Sequence, residues 1–315
     1  RTFVATVNSL HVAVASTAVA VVIGTMAAIL TVHTDMRCKT VWVFGFVLPL
    51  MIPPQVTALA WVQAFSPTSP VLGLLGLALP PGARHPLFSA SGIIILLGLY
   101  NAPLVFLTVR AALRRLPPNL AEAARAAGAG NWTLFATVVL PLARSGIVAG
   151  AALAFVSAIG NFGIQAMLGI PARFPTLITL IYQQLNSYGP SALADMAALA
   201  LFLSVITVVG LGVNSLFGRR ADIRVEGGGH PVAVDLGRYR PWVEAAAWLF
   251  LVATLILPLS ALVATSLVRG FGQSLNVANL TLVNYQNALF HHDAIRDAFL
   301  TSLSMTTGAT VILVA

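Results

Sequence analysis

Seven stretches of the chain are apolar over lengths that suit a membrane-crossing helix, separated by polar or Pro/Gly-rich connections. They are Leu10–Thr31, Val41–Phe65, Ile93–Leu113, Gly146–Gly169, Leu193–Phe217, Trp242–Ser266 and Ala298–Ala315. A hydrocarbon core about 30 Å thick takes roughly 20 helical residues. The first six stretches therefore predict complete spans and the seventh a truncated one. Val71–Leu79 is also apolar but too short to cross, so it predicts a buried or interfacial helix in a loop. No stretch alternates in polarity over about ten residues as a transmembrane strand does. The predicted fold is all-α, a polytopic transmembrane helical bundle.

Several positions inside the spans bear on their shape. Pro49, Pro53 and Pro54 fall in the second stretch, and Asn101 with Pro103 in the third. Proline frees backbone carbonyls that a membrane protein must satisfy again from neighbouring helices or water. A kinked helix lining a pathway and an ordinary packing kink both fit. Gly146, Gly150 and Ala154 recur every four residues in the fourth stretch, which predicts close approach of another helix.

Composition narrows the class. Of 315 residues, 58% are hydrophobic and 8% charged, against about 25% charged in soluble domains. The net charge of +8 is not the clustered basic face of a nucleic-acid binder. Its 17 Lys and Arg instead alternate between connections. One set of connections holds 12 (Arg37 and Lys39; Arg110, Arg114, Arg115, Arg125 and Arg144; Arg219, Arg220, Arg224, Arg238 and Arg240) and the other holds 5. The positive-inside rule places residues 32–40, 114–145 and 218–241 in the cytoplasm, and 66–92, 170–192 and 267–297 outside. Cys38 is the one cysteine, so neither an intrachain disulfide nor a cysteine metal cluster can form. The first apolar stretch is too long for a signal-peptide core and reads as a span. With Arg1 at one end and an apolar run at the other, the expectation is a piece of a longer polypeptide.

Residues 218–241, rich in glycine and charge, predict a flexible linker between two membrane units. A weak repeat agrees: Asn8-Ser9-Leu10 opens the first stretch and Thr301-Ser302-Leu303 the seventh, with Ala5 matching Ala298 and Thr17 matching Thr310. On this reading 1–217 is a first unit and 242–315 the start of a second.

Catalytic signatures are missing from the sequence. The single lysine, Lys39, follows Cys38, so no phosphate-cradling G-x-x-x-x-G-K-[ST] loop exists. No H-E-x-x-H occurs, and Ser145 lacks the first glycine of a nucleophile elbow. His291-His292-Asp293 reads as solvated, and Asp195 and Glu244 lie near interfaces. A proton-coupled pump would keep carboxylates in mid-span, and none is found there.

The informative connection runs from Leu116 to Pro141. Pro117 and Pro118 suit a helix start, Asn119 could cap it, and Glu122 would sit in the first turn where the helix dipole favours an anion. Ala123, Ala124, Ala126 and Ala127 favour helix and keep a low profile. Gly128 and Gly130 would end that helix. Trp132, Phe135 and Val138-Val139 then give a second helix an apolar face, closed by Pro141. A smooth alanine-rich helix between spans suits docking into a protein groove. A merely solvated connection is usually shorter and has no use for Trp132 and Phe135.

These residues resemble the permease subunits of ABC importers. The family's loop reads E-A-A, three residues, G, nine residues, I-x-L-P. It stands here as Glu122-Ala123-Ala124, Gly128 and Val138-Val139-Leu140-Pro141, with valine for isoleucine. The resemblance implies that this loop couples the permease to separate ATP-hydrolysing subunits, two copies, which bind the ATP and Mg; this chain itself binds no cofactor. It further implies an external solute-binding protein and a bacterial-type inner membrane. Within the family, two units in one polypeptide is the layout that ferric iron and thiamine permeases share, and the strings Ser157–Gly163, Gly169-Ile170-Pro171 and Thr179–Tyr182 look most like ferric iron permeases. Thiamine, aminophosphonate and polyamine permeases are the alternatives, and an ion-coupled secondary transporter is the alternative of another class. Asn101, Asn161 and Gln165, polar groups near kinks, are the candidate pathway residues.

Overall fold

The computed structural model describes all residues except 75, 78, 81, 116–117, 187–191, 220–234, 271–278 and 315. The described residues are helices joined by loops, with one isolated bridge between Val268 and Leu280. Among the described residues, five helices are long and apolar enough to cross a membrane, and a bent pair would make a sixth crossing if it is one span. Helix α1 spans Thr2–His33 and so begins about two turns before Leu10, where its apolar run starts. The added residues carry mostly small or β-branched side chains and no breaker, so the helix extends on the outer side.

The second stretch is not one kinked helix. Helix α2, Lys39–Val47, tightens into a turn over Leu48–Met51, and α3, Pro54–Ala64, leaves at 107°. The cause is local. Pro49 starts the tight turn, Ile52 is extended at ψ 128 as the residue before a proline prefers, and Pro53-Pro54 cannot carry an α-helix across. Val71–Leu79 yields only a five-residue helix, α4 at Pro70–Leu74; Leu75 and Ala78 lie outside the described residues.

Helix α5, Ala90–Arg114, runs unbroken through Pro103, with Ser89 capping it by accepting from the Gly92 N–H at 3.1 Å. It is the central element of the first of two compact units, Arg1–Leu59 with Pro86–Ile256. On one side α1 packs against it at Gly24, where an added Cβ would lie 2.5 Å from the Ala102 carbonyl oxygen. On the other lies α8, Leu140–Gly160. A Cβ on Gly146 would meet the Thr108 carbonyl at 2.8 Å, and one on Gly150 the Thr108 hydroxyl at 2.5 Å. The four-residue spacing of small side chains is thus a helix contact, as expected.

The fourth stretch ends before its apolar run does. After Gly160 the chain breaks at Asn161 (ψ 98), and Phe162–Gly169 form a separate helix, α9. The Asn161 side chain accepts from the Ile164 N–H at 3.0 Å, an N-cap that starts a new helix where hydropathy alone sees continuity. Helix α10, Leu177–Leu185, begins at a Thr176/Thr179 capping box, and its first N–H is held by the Ser9 hydroxyl of α1 at 2.8 Å. Helix α11, Ala192–Arg219, supplies the next candidate span.

Most of the predicted linker lies outside the described residues, but its last part is folded. Leu236 donates its N–H to Asp35 at 3.1 Å, and α12, Arg240–Leu251, starts at Arg240 rather than at Trp242. Trp42 of α2 donates its indole N–H to the Ala247 carbonyl at 2.9 Å and stacks on Phe46, which in turn contacts Phe106 and Phe250. These contacts group α12 with the helices of the first compact unit.

The second unit is Ala60–His85 with Leu257–Ala315. Within it α13, Leu257–Ser266, packs against α4, and Asn284 of the short helix α14, Val283–Gln286, donates to the Val268 carbonyl at 2.7 Å. Helix α15, Asp293–Val314, covers the seventh stretch as far as Val314.

Candidate functional site

The connection between α5 and α8 folds as two short helices. Helix α6 is Pro118–Ala126 and α7 is Asn131–Leu134. Proline opens α6 at its first position, where its missing N–H costs nothing. Asn119 is consequently the second helical residue rather than the cap, and Glu122 lies in the second turn rather than the first. Pro117 and the side chains of Asn119 and Trp132 are outside the described set.

The end of α6 explains the spacing between Ala124 and Gly128. The Ala129 N–H bonds to the Ala124 carbonyl at 3.0 Å and the Gly128 N–H to the Arg125 carbonyl at 2.9 Å. This pair of bonds is the Schellman motif, which needs a left-handed residue four positions after the outer acceptor. Gly128 has φ +84, where a side chain would be strained. Glu122, Ala123, Ala126 and Ala127 are exposed and Ala124 is half-buried, so α6 offers a smooth face with one carboxylate.

Pro141 does not close the second helix. The segment Phe135–Val139 forms a wide π turn, with the Leu140 N–H reaching back to the Phe135 carbonyl, and passes directly into α8. Pro141 has no N–H and its ring crowds the carbonyl four residues earlier; a widened turn there lets the helix continue. Thr137 donates its hydroxyl to the Thr133 carbonyl at 2.6 Å beside it. Val139 and Leu134 are buried, Phe135 and Val138 half-buried, and Leu140 and Pro141 exposed. The loop is thereby rigidly continuous with a span on one side.

The three candidate pathway residues meet around the last turn of α8. Asn101, fully buried in α5, accepts from the Ser157 hydroxyl at 2.7 Å. Gln165 of α9 donates to the Ala158 carbonyl at 2.8 Å, and Asn161 caps α9 between them. The Asn101 amide nitrogen and the Gln165 carbonyl oxygen are buried without a hydrogen-bond partner. Gly163 of α9 sits against Gln55, with a Cβ there falling 2.8 Å from the Gln55 backbone nitrogen. Ser157 is the member of this group that sequence reasoning passed over. Its signal was its place one turn before Asn161.

A second polar cluster went unforeseen. Arg240 binds the Asp35 carboxylate at 3.2 Å and that of Glu244 at 3.1 Å, while the Arg37 N–H donates to Glu244 at 2.8 Å. Arg240 also donates to the Asp35 carbonyl at 2.7 Å. The Leu236 N–H, and next the Arg240 guanidinium, hold the Asp35 carboxyl below its ordinary pKa. The pair Arg240 and Glu244, four apart on a helix, was visible in the sequence, whereas Asp35 lies 205 positions from Arg240 along the chain.

The family described as "Binding-protein-dependent transport system inner membrane component" matches residues 20–223. The chain is 30% identical over 184 residues to the molybdenum transport system permease protein ModB of Azotobacter vinelandii, covering 57% of this chain and 79% of that one. It is 30% identical over 176 residues to the sulfate transport system permease protein CysT of Escherichia coli, covering 55% of this chain and 62% of the relative. Among solved structures, the inward-facing MetNI methionine ABC transporter superposes with a TM-score of 0.51 at 21% identity, over 69% of this chain and 94% of that one, a likeness of fold.

Proposed function

The chain belongs to the family of binding-protein-dependent inner membrane transport components, and from that premise we propose that it is the permease of an ATP-driven importer of a tetrahedral oxyanion. It is a multi-pass inner membrane protein of the transport class. Finer than that, the reading is that α6 and its Gly128 turn dock on a separate ATPase, and that an external binding protein delivers the solute. The observation that carries it is the exposed α6–Gly128 turn joined through the π turn to α8. A docking surface that moves with a span transmits force to the membrane.

Molybdate and sulfate replace ferric iron as the proposed solutes, because the relatives described above are molybdenum and sulfate permeases. The expectation of ferric iron finds no support among them. The group around Asn101 carries no fixed cation that would hold a multiply charged anion too long, and its one buried unpartnered donor is the Asn101 amide. The fusion of two permease units in one polypeptide stays part of the proposal.

Uptake competition tests the solute. In vesicles carrying the permease with its ATPase and binding protein, unlabelled molybdate or sulfate should suppress labelled oxyanion uptake, and ferric citrate should not. Suppression by ferric citrate alone would overturn the oxyanion reading and leave the coupling loop untouched.

A further inference from the structure

An apolar groove of about 500 Å³ lies within the first compact unit, walled by α1, α2, α12 and the π turn. Leu30, Trp42, Phe46, Phe135 and Phe250 line it, and Thr34 is the one hydroxyl-bearing residue at its edge. The Trp42 indole N–H is already given to the Ala247 carbonyl, so the walls offer water nothing to bond. Cavities of that character stay dry. In a bilayer the material at hand to fill them is hydrocarbon.

The polar edge fixes which hydrocarbon. The Lys39 ammonium binds the Thr34 carbonyl at the mouth of the groove. Arg37 is exposed beside it, while Asp35 and Glu244 are both engaged by Arg240. The mouth thus presents three cations, Arg37, Lys39 and Arg240, against the two carboxylates; Arg240 is spent on both of them and Asp35 also attracts Lys39, which leaves a net positive charge. It also lies at the helix ends that the charge asymmetry assigns to the cytoplasm. Basic mouths over apolar clefts at that leaflet match an anionic headgroup with its acyl chain below.

We propose that this groove is a binding site for an anionic phospholipid of the inner leaflet, with an acyl chain along Trp42, Phe46 and Phe250 and the phosphate at Lys39. Because Phe135 forms part of the wall, the chain packs against the turn that joins the loop to α8. Lipid and loop position are thereby linked. The site depends on membrane insertion and not on which solute is carried, so its test is independent of the oxyanion reading.

The experiment is lipid retention by native mass spectrometry of the purified full permease complex in detergent, titrated with phosphatidylglycerol or phosphatidylcholine. Phosphatidylglycerol should be retained about fivefold more strongly, the effect of one net basic residue near a membrane surface. Lys39→Gln should bring the two lipids to parity. Ala246→Trp, which fills the groove from an exposed position, should abolish tight retention of both while leaving the thermal melt unchanged. Equal retention of the two lipids by the unaltered protein would overturn the proposal. So would unchanged retention in Ala246→Trp, or a protein segment found occupying the groove.

Discussion

Replacing Gly128 by valine would put a β-branched side chain at φ +84, a conformation that costs an L-residue about 1–2 kcal/mol. The turn after α6 would reshape to escape it, moving Glu122 and Ala123 relative to α7. Asparagine tolerates left-handed geometry far better. ATP-driven uptake is therefore expected to fall about tenfold or more in Gly128→Val, a barrier change near 1.4 kcal/mol, and to survive largely in Gly128→Asn. Thermal unfolding should drop slightly more in Gly128→Val than in Gly128→Asn, through backbone strain alone, since an added Cβ at that site meets nothing within 4 Å. Asp35 gives a second residue-level expectation. Its pKa is lowered in the folded protein, so its contribution to stability is present above the unfolded value of about 3.9 and fades as pH falls through the folded value. The difference in melting temperature between the unaltered protein and Asp35→Asn should be constant from neutral pH to about 5 and close at lower pH. A difference that persists undiminished into strong acid would show that the Leu236 and Arg240 contacts do not act through the carboxylate.

At the scale of elements, α5 is gripped through absent side chains on its neighbours. Gly150→Leu would drive a side chain into Thr108 and Val105 and should destabilise by about 1–3 kcal/mol or more, the cost of overpacking. Gly160 has nothing within 4 Å of an added Cβ, so Gly160→Ala serves as the control, with a melting temperature unchanged or slightly raised. The existence of these helices was legible in the sequence because hydropathy over 20 residues is a strong signal, and the Gly146–Gly150–Ala154 contact because its spacing matches a helix face. Their ends were less legible. Asn161 interrupts an apolar run through a single side-chain hydrogen bond, and Pro53-Pro54 turn the chain by 107° where hydropathy reads one span. Pro141 reads as a stop in sequence, yet the π turn absorbs it. A hydropathy window averages over such single-residue events.

At the scale of the whole molecule, the helix and glycine turn of the 116–141 connection were readable because they are local: Glu122, Ala123, Ala124 and Gly128 lie within one helix and its terminating turn. The clamp of Asp35, Arg240 and Glu244 and the groove below it were not, because they join residues 205 and 207 positions apart. Nor did short strings such as Ser157–Gly163 settle the solute, since that segment bends a span and caps a helix whatever passes beside it. The central claim is that ATP hydrolysis on a partner subunit reaches the spans through α6 and the π turn. Its most direct measurement is labelled molybdate uptake into vesicles bearing the permease, its ATPase and its binding protein, with ATP supplied or withheld, for the unaltered chain and Glu122→Trp. The account predicts uptake that requires ATP, withstands collapse of ion gradients, and is lost in Glu122→Trp while ATPase activity of the isolated partner is intact. Uptake that persists without ATP and stops when an ion gradient is collapsed would contradict it.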